Sequence, residues 1–145
     1  MPETYKVHCT CAAVELTITG APIVHAHCHC MDCRELLNLP YCPVAAWSAS
    51  QVVVSRGAKS LVEYQHPKLG MRRAFCPRCG EVLYNTNAMG WRVVSQLLLA
   101  KCNRGVLPAE LAPDKHFFYE QRVVDVHDHL PKYLRGSSGP LFEPD

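Results

Sequence analysis

The sequence has little of what marks a membrane, secreted or nucleic-acid-binding chain. Its longest apolar stretches, Val93 with Val94 and residues 97–100, are far shorter than the roughly 20 residues a spanning helix needs. No charge of one sign dominates: 15 basic and 13 acidic residues leave a formal +2, too balanced for a nucleic-acid groove or a membrane-surface anchor. The opening Met1, Pro2, Glu3 and Thr4 lack the apolar stretch of a signal peptide, so a soluble cytoplasmic protein is expected. There is no internal repeat and no linker. A single domain over residues 1–135 is therefore expected, with residues 136–145, rich in Gly, Ser and Pro, as a loosely held, flexible tail.

Cysteine, by contrast, is abundant. Nine thiols in 145 residues are an odd number, which leaves one over in any complete set of disulfides, and a chain of this length can bury a core without covalent staples. In a reducing compartment, clustered cysteines point to metal or catalysis. Seven fall into three groups: Cys9 with Cys11; Cys28, Cys30 and Cys33; and Cys76 with Cys79, followed by Gly80. The last pair has the spacing of a zinc knuckle, with glycine relieving the backbone where it closes. It needs two more ligands. Cys9 and Cys11, read as an extended segment with both side chains on one face, can supply them.

Counting ligands separates the groups. Joining Cys76 and Cys79 to Cys28, Cys30 and Cys33 gives five thiolates, one too many for a tetrahedral ion, whereas joining them to Cys9 and Cys11 gives four. Three thiolates then remain. Three protein ligands with an open fourth position characterise a catalytic or substrate-binding zinc, and four cysteines a closed structural one. A second closed site completed by a nearby histidine or aspartate, or redox-active or unliganded thiols, are the alternatives for Cys28, Cys30 and Cys33. Sulfur-rich sites favour zinc over magnesium or calcium. Cys42 and Cys102 stand alone and read as small packed residues. His25, His27 and His29 interleave with Cys28 and Cys30; on an extended strand His27 and His29 point away from those cysteines and support the site from behind or face solvent. His127 and His129 lack a third partner and read as a polar loop.

Period-two patterns predict a mostly β fold of hairpins and small sheets with short helices. Strands are expected over residues 14–19, 23–30, 51–55, 60–65, 72–75, 81–85, 91–99 and 116–126. A short helix is expected over residues 32–39, stopped by Pro40.

The ordered set Cys9 and Cys11, then Cys28, Cys30, Cys33 and Arg34, then Phe75, Cys76, Pro77, Cys79 and Gly80 resembles the family of glutathione-dependent formaldehyde-activating enzymes, also named for centromere protein V. Trp47, Gly57 and the late Leu130, Pro131, Lys132 and Tyr133 add to a likeness spanning residues 7–133. The resemblance implies a zinc-bearing β-fold akin to methionine sulfoxide reductase B. It implies one structural zinc on Cys9, Cys11, Cys76 and Cys79 and a second, open one on Cys28, Cys30 and Cys33. It further implies a carbon–sulfur lyase that reversibly joins a thiol, glutathione or similar, to formaldehyde or another small aldehyde at the second zinc. Cys28, Cys30 and Cys33 would then form the catalytic set, and Arg34, with Arg72 and Arg73, would be the cations available to glutathione's carboxylates. A non-catalytic, zinc-stabilised module that carries a thiol or binds a protein partner is the rival reading. Ala12, Glu81 and the stretch 96–99 depart from the family's usual pattern, and no aromatic stands among residues 123–126.

Overall fold

The structure, a computed structural model, describes residues 3–136 and 139–144. Ten strands in two sheets and a few short helices make up the described chain, in line with the expected mostly β class. The first sheet is antiparallel, with β1 (Thr4–His8), β2 (Glu15–Thr19) and β5 (Val52–Arg56) in the order β1-β2-β5. The second takes β3 (Val24–Cys28), β4 (Cys42–Trp47), β6 (Val62–Gln65), β7 (Arg72–Phe75), β8 (Val82–Thr86), β9 (Arg92–Ser95) and β10 (His116–Phe117) in the order β10-β3-β4-β9-β8-β7-β6. Only the β10–β3 pair is parallel. Helix α1 (Met31–Leu37) links β3 to β4, and α2 (Gln96–Lys101) follows β9.

The alternation of Leu16 and Ile18 with Glu15, Thr17 and Thr19 turns the first two inward, where they join Val7 and Val52 of the same sheet. They share one core with Ala45, Trp47, Leu83 and Val94 of the second sheet and with Leu98 and Leu99 of α2. Trp47 is fully buried and its indole N–H donates to the Gly20 carbonyl at 2.9 Å.

Several elements differ from the sequence reading. Strand β1 is additional, and so is β4, the buried centre of the second sheet. The expected strand over 91–99 ends at Ser95, whose hydroxyl caps α2 by accepting from the Leu97 N–H at 3.1 Å; the leucine run there fits a buried helix as well as a strand. The expected strand over 116–126 stops after Phe117, because Phe118 takes a left-handed backbone (φ 56°) and leads into a 3₁₀ turn at Tyr119–Gln121. In the stretch expected as a tail, Leu141 bridges Tyr133, and the Phe142 ring lies 5.0 Å from that of Tyr119. Ser137, Ser138 and Asp145 lie outside the described residues, as do Met1 and Pro2. Among the described residues, no helix is long and apolar enough to cross a membrane.

Candidate metal centres

Two hairpin turns, one from each sheet, bring four cysteines together. Cys9 and Cys11 lie in the turn between β1 and β2, and Cys76 and Cys79 in the turn between β7 and β8. Cys9 and Cys11 are not on an extended segment as expected: the Ala12 N–H donates to the Cys9 carbonyl at 2.9 Å and Ala12 is left-handed (φ 63°). That turn, rather than strand parity, aims both sulfurs at the second hairpin. Gly80, also left-handed (φ 79°), donates to the Cys76 carbonyl at 2.7 Å and closes the knuckle. Cys9 Sγ is 3.7 Å from Cys11 Sγ, which is 3.6 Å from Cys76 Sγ. Backbone N–H donation at Glu81 and Cys11 pulls the Cys79 thiol down to about 6. Glu81, a departure from the family pattern, accepts from Thr10 Oγ1 at 3.0 Å and pairs with Lys101, tying both turns to α2.

The second group comes from one continuous stretch. Cys28 ends β3, Cys30 is the N-cap of α1, and Cys33 lies in the helix's first turn. Cys28 Sγ donates to Cys30 Sγ at 3.2 Å, and the Cys33 N–H donates to Cys30 Sγ at 3.4 Å. Hydrogen bonds from the Cys28 and Cys33 thiols, then from the Cys33 and Asp32 backbone, outweigh burial and pull Cys30 down to about 3. The same hydrogen bond to Cys30 pushes Cys28 well up, and the bonds to Cys28 and Cys30 do so for Cys33. The group is therefore one thiolate flanked by two thiols.

Both groups fit a metal by donor chemistry. In each, the sulfurs all lie within 4.8 Å of one another, and a tetrahedral zinc with bonds of about 2.3 Å spaces its sulfur ligands by about 3.8 Å. Both can hold a metal ion, and all-sulfur donors suit zinc. Among the described residues no histidine or carboxylate joins Cys28, Cys30 and Cys33. These three also line a cavity of about 590 Å³ with Val24, Val44, Met89, Trp91, Val93 and Phe117. None of Cys9, Cys11, Cys76 and Cys79 lines it.

The other candidates fall outside the cavity. Arg34 Nε donates to the His29 carbonyl at 3.1 Å, so it braces the backbone between Cys28 and Cys30. Arg72 lies 3.9 Å from Glu63, and Arg73 lies over the Tyr64 ring. His27 stacks on His116 at 4.8 Å between centroids. His29, wholly buried and pushed down to about 4 chiefly by that burial, sits 2.9 Å through Nε2 from His116 Nδ1. His116 Nε2 in turn donates to Asp128 Oδ2 at 2.9 Å. Cys42 is buried, its thiol pushed up by burial, and Cys102 Sγ donates to the His8 carbonyl at 3.4 Å; both are packed residues. The sequence reading missed His116, Asp128, Trp91 and Phe117 as parts of this region, because pairing between distant strands brings them there.

The profile of the family described as glutathione-dependent formaldehyde-activating enzyme matches residues 4–121. Among solved structures, the crystal structure of a Rhodobacter sphaeroides protein from a structural-genomics programme is 26% identical, covering 74% of this chain and 97% of that one with a TM-score of 0.54. No curated protein matches at a significant level.

Proposed function

The chain belongs to the family of glutathione-dependent formaldehyde-activating enzymes, and on that premise we propose that it is a carbon–sulfur lyase working at a zinc held by Cys28, Cys30 and Cys33. The reaction joins a thiol to an aldehyde. Sulfur forms a bond to the carbonyl carbon, the thiol proton passes to the carbonyl oxygen, and the product is a hydroxyalkyl thioether. The reverse reaction breaks that carbon–sulfur bond and returns the proton. Bound there, zinc would lower the pKa of an incoming thiol and so present its sulfur as a nucleophile. The observation that carries the reading is the second cysteine group itself, three convergent sulfurs on the wall of a cavity large enough for a small molecule.

The chain's own groups have distinct tasks in this reading. Cys28, Cys30 and Cys33 hold the ion, and Arg34 and the His29–His116–Asp128 chain hold the backbone that carries them. Apolar walls keep water from the reacting carbonyl. Cys9, Cys11, Cys76 and Cys79 hold a second zinc with a structural role. The reading calls for a cytoplasmic setting, where free thiols stay reduced.

Zinc stoichiometry and thiol titration test this together. The wild-type chain is expected to carry two zinc ions and to bind a thiol. Cys30→Ala should stay folded with one zinc and lose thiol binding, and Cys79→Ala should lose the fold. Unfolding of Cys30→Ala like Cys79→Ala, or no thiol binding by the wild-type chain, would overturn the assignment.

A further inference from the structure

The family's named thiol, glutathione, is a dicarboxylate with a net negative charge at neutral pH. The cavity offers it no counter-charge. Among the described residues that line it there is no lysine, arginine or histidine, and its one ionisable group besides the cysteines is the Asp32 carboxyl. The nearest arginines in sequence are engaged elsewhere. Arg34 braces the His29 carbonyl, Arg92 donates to the Val52 carbonyl at 2.6 Å, Arg122 pairs with Asp125 at 2.7 Å, and Arg135, beside Gly136, pairs with Glu120 at 3.4 Å. Zinc on three thiolates would itself carry a net negative charge, so a ligand carboxylate in this cavity meets like charge with its own hydration removed.

The other polar side chains of the wall are neutral amides, and two of their oxygens are already engaged. Asn87 Oδ1 accepts from the Met89 and Trp91 N–H groups, both at 3.0 Å, and Gln121 Oε1 accepts from the Met31 N–H at 2.9 Å. Asn85 differs: it is 3% exposed, and its Oδ1 has no partner. The polarity of the wall thus comes from three neutral amides and the Asp32 carboxyl, none of which offsets a ligand's negative charge.

We propose that the thiol taken by this cavity is uncharged and apolar, an alkyl or aryl thiol, and that glutathione is the poorer ligand. This rests on the thiol-binding role of Cys28, Cys30 and Cys33 proposed above and narrows its substrate class. Trp91 supplies a built-in reporter, because it lines the cavity while Trp47, the other tryptophan, is wholly buried in the core.

The test titrates the zinc-loaded full chain with phenylmethanethiol and with glutathione, following Trp91 fluorescence and binding heat, with Trp91→Phe to assign the signal. Phenylmethanethiol is expected to bind at least tenfold tighter. Met89→Lys places a cation on the cavity rim at a residue that is already exposed, and it should narrow that ratio at least threefold by tightening glutathione. Equal or tighter glutathione binding by the wild-type chain overturns the apolar assignment and leaves the thiol site standing. A ratio unmoved by Met89→Lys overturns charge as its basis. Binding of neither thiol overturns the thiol site itself, and the inference falls with it.

Discussion

Filling the Cys28, Cys30 and Cys33 group with zinc at pH 7 should release two protons, not three. Cys30 is already a thiolate, held near 3 by the Cys28 and Cys33 thiols and by backbone N–H groups at the start of α1. Cys28 and Cys33 are pushed well above the ordinary thiol range and enter protonated. An ordinary thiol, with a pKa near about 8.5, costs about 2 kcal/mol to ionise at pH 7. For Cys30 alone that saving is equivalent to roughly thirtyfold in apparent affinity at this pH, and the raised Cys28 and Cys33 thiols, which must lose their protons to bind, work against it. Zinc is titrated into protein whose Cys9, Cys11, Cys76 and Cys79 site is already filled, in buffers of different ionisation enthalpy. The slope of observed heat against buffer enthalpy is the proton count. As a check on sign, affinity should rise about a hundredfold per pH unit around neutrality, because the metal-bound state holds two protons fewer. A count near three would show that Cys30 is protonated like its neighbours, and a count below two would show that fewer than three sulfurs bind.

Two further substitutions probe the frame around the sites. Gly57→Ala puts a Cβ 2.1 Å from the Ala13 carbonyl oxygen at a left-handed position (φ 79°), where both the clash and the backbone conformation oppose it; a loss of about 2 kcal/mol or more is expected in urea unfolding, and a loss under about 0.5 kcal/mol would refute the close approach. His116→Ala removes the ring between His29 and Asp128 and leaves a void in a buried place, with an expected loss of about 2–4 kcal/mol by the same measurement. A near-neutral His116→Ala would show that the chain of rings is not what holds this region.

The cysteine arithmetic was legible because metal sites are written in spacing: 76 with 79 and 28 with 30 and 33 are local, and the pairing of 9 and 11 with 76 and 79 follows from a ligand count. What was not legible depends on partners far along the chain. Strand β4 contains Pro43 and two alanines, a poor advertisement for a central strand. It is tolerated because pairing with β9 begins only at Val44, so the missing Pro43 N–H is not called on from that side. The break between β9 and α2 turns on Ser95 serving as a cap, a choice that a run of leucines does not announce. His116 reaches the site through a two-residue parallel strand beside β3, too short for any periodicity to reveal. The cavity wall likewise joins β3, β4, β9 and the segment after β10, so its lack of cations is a property of the fold and not of the modest net charge of the sequence.

The two cysteine groups also differ in what a metal cross-link at each would do for the fold. Cys11 and Cys76 are 65 residues apart and sit on hairpins of different sheets, so an ion between them closes a long loop and fastens one sheet to the other. By the chain-entropy relation for cross-links, a loop of that size is worth about 4 kcal/mol, against about 2 kcal/mol for the five-residue step from Cys28 to Cys33. The second step is also already shaped by β3, the Cys30 cap and α1, so even that smaller figure overstates its effect on the unfolded chain. Loss of metal from the four-cysteine site should therefore loosen the whole domain, while loss from the three-cysteine site should leave the sheets in place. The group whose cross-link would contribute least to holding the chain together is the one that faces the cavity, which suits the ligand-binding role proposed for it.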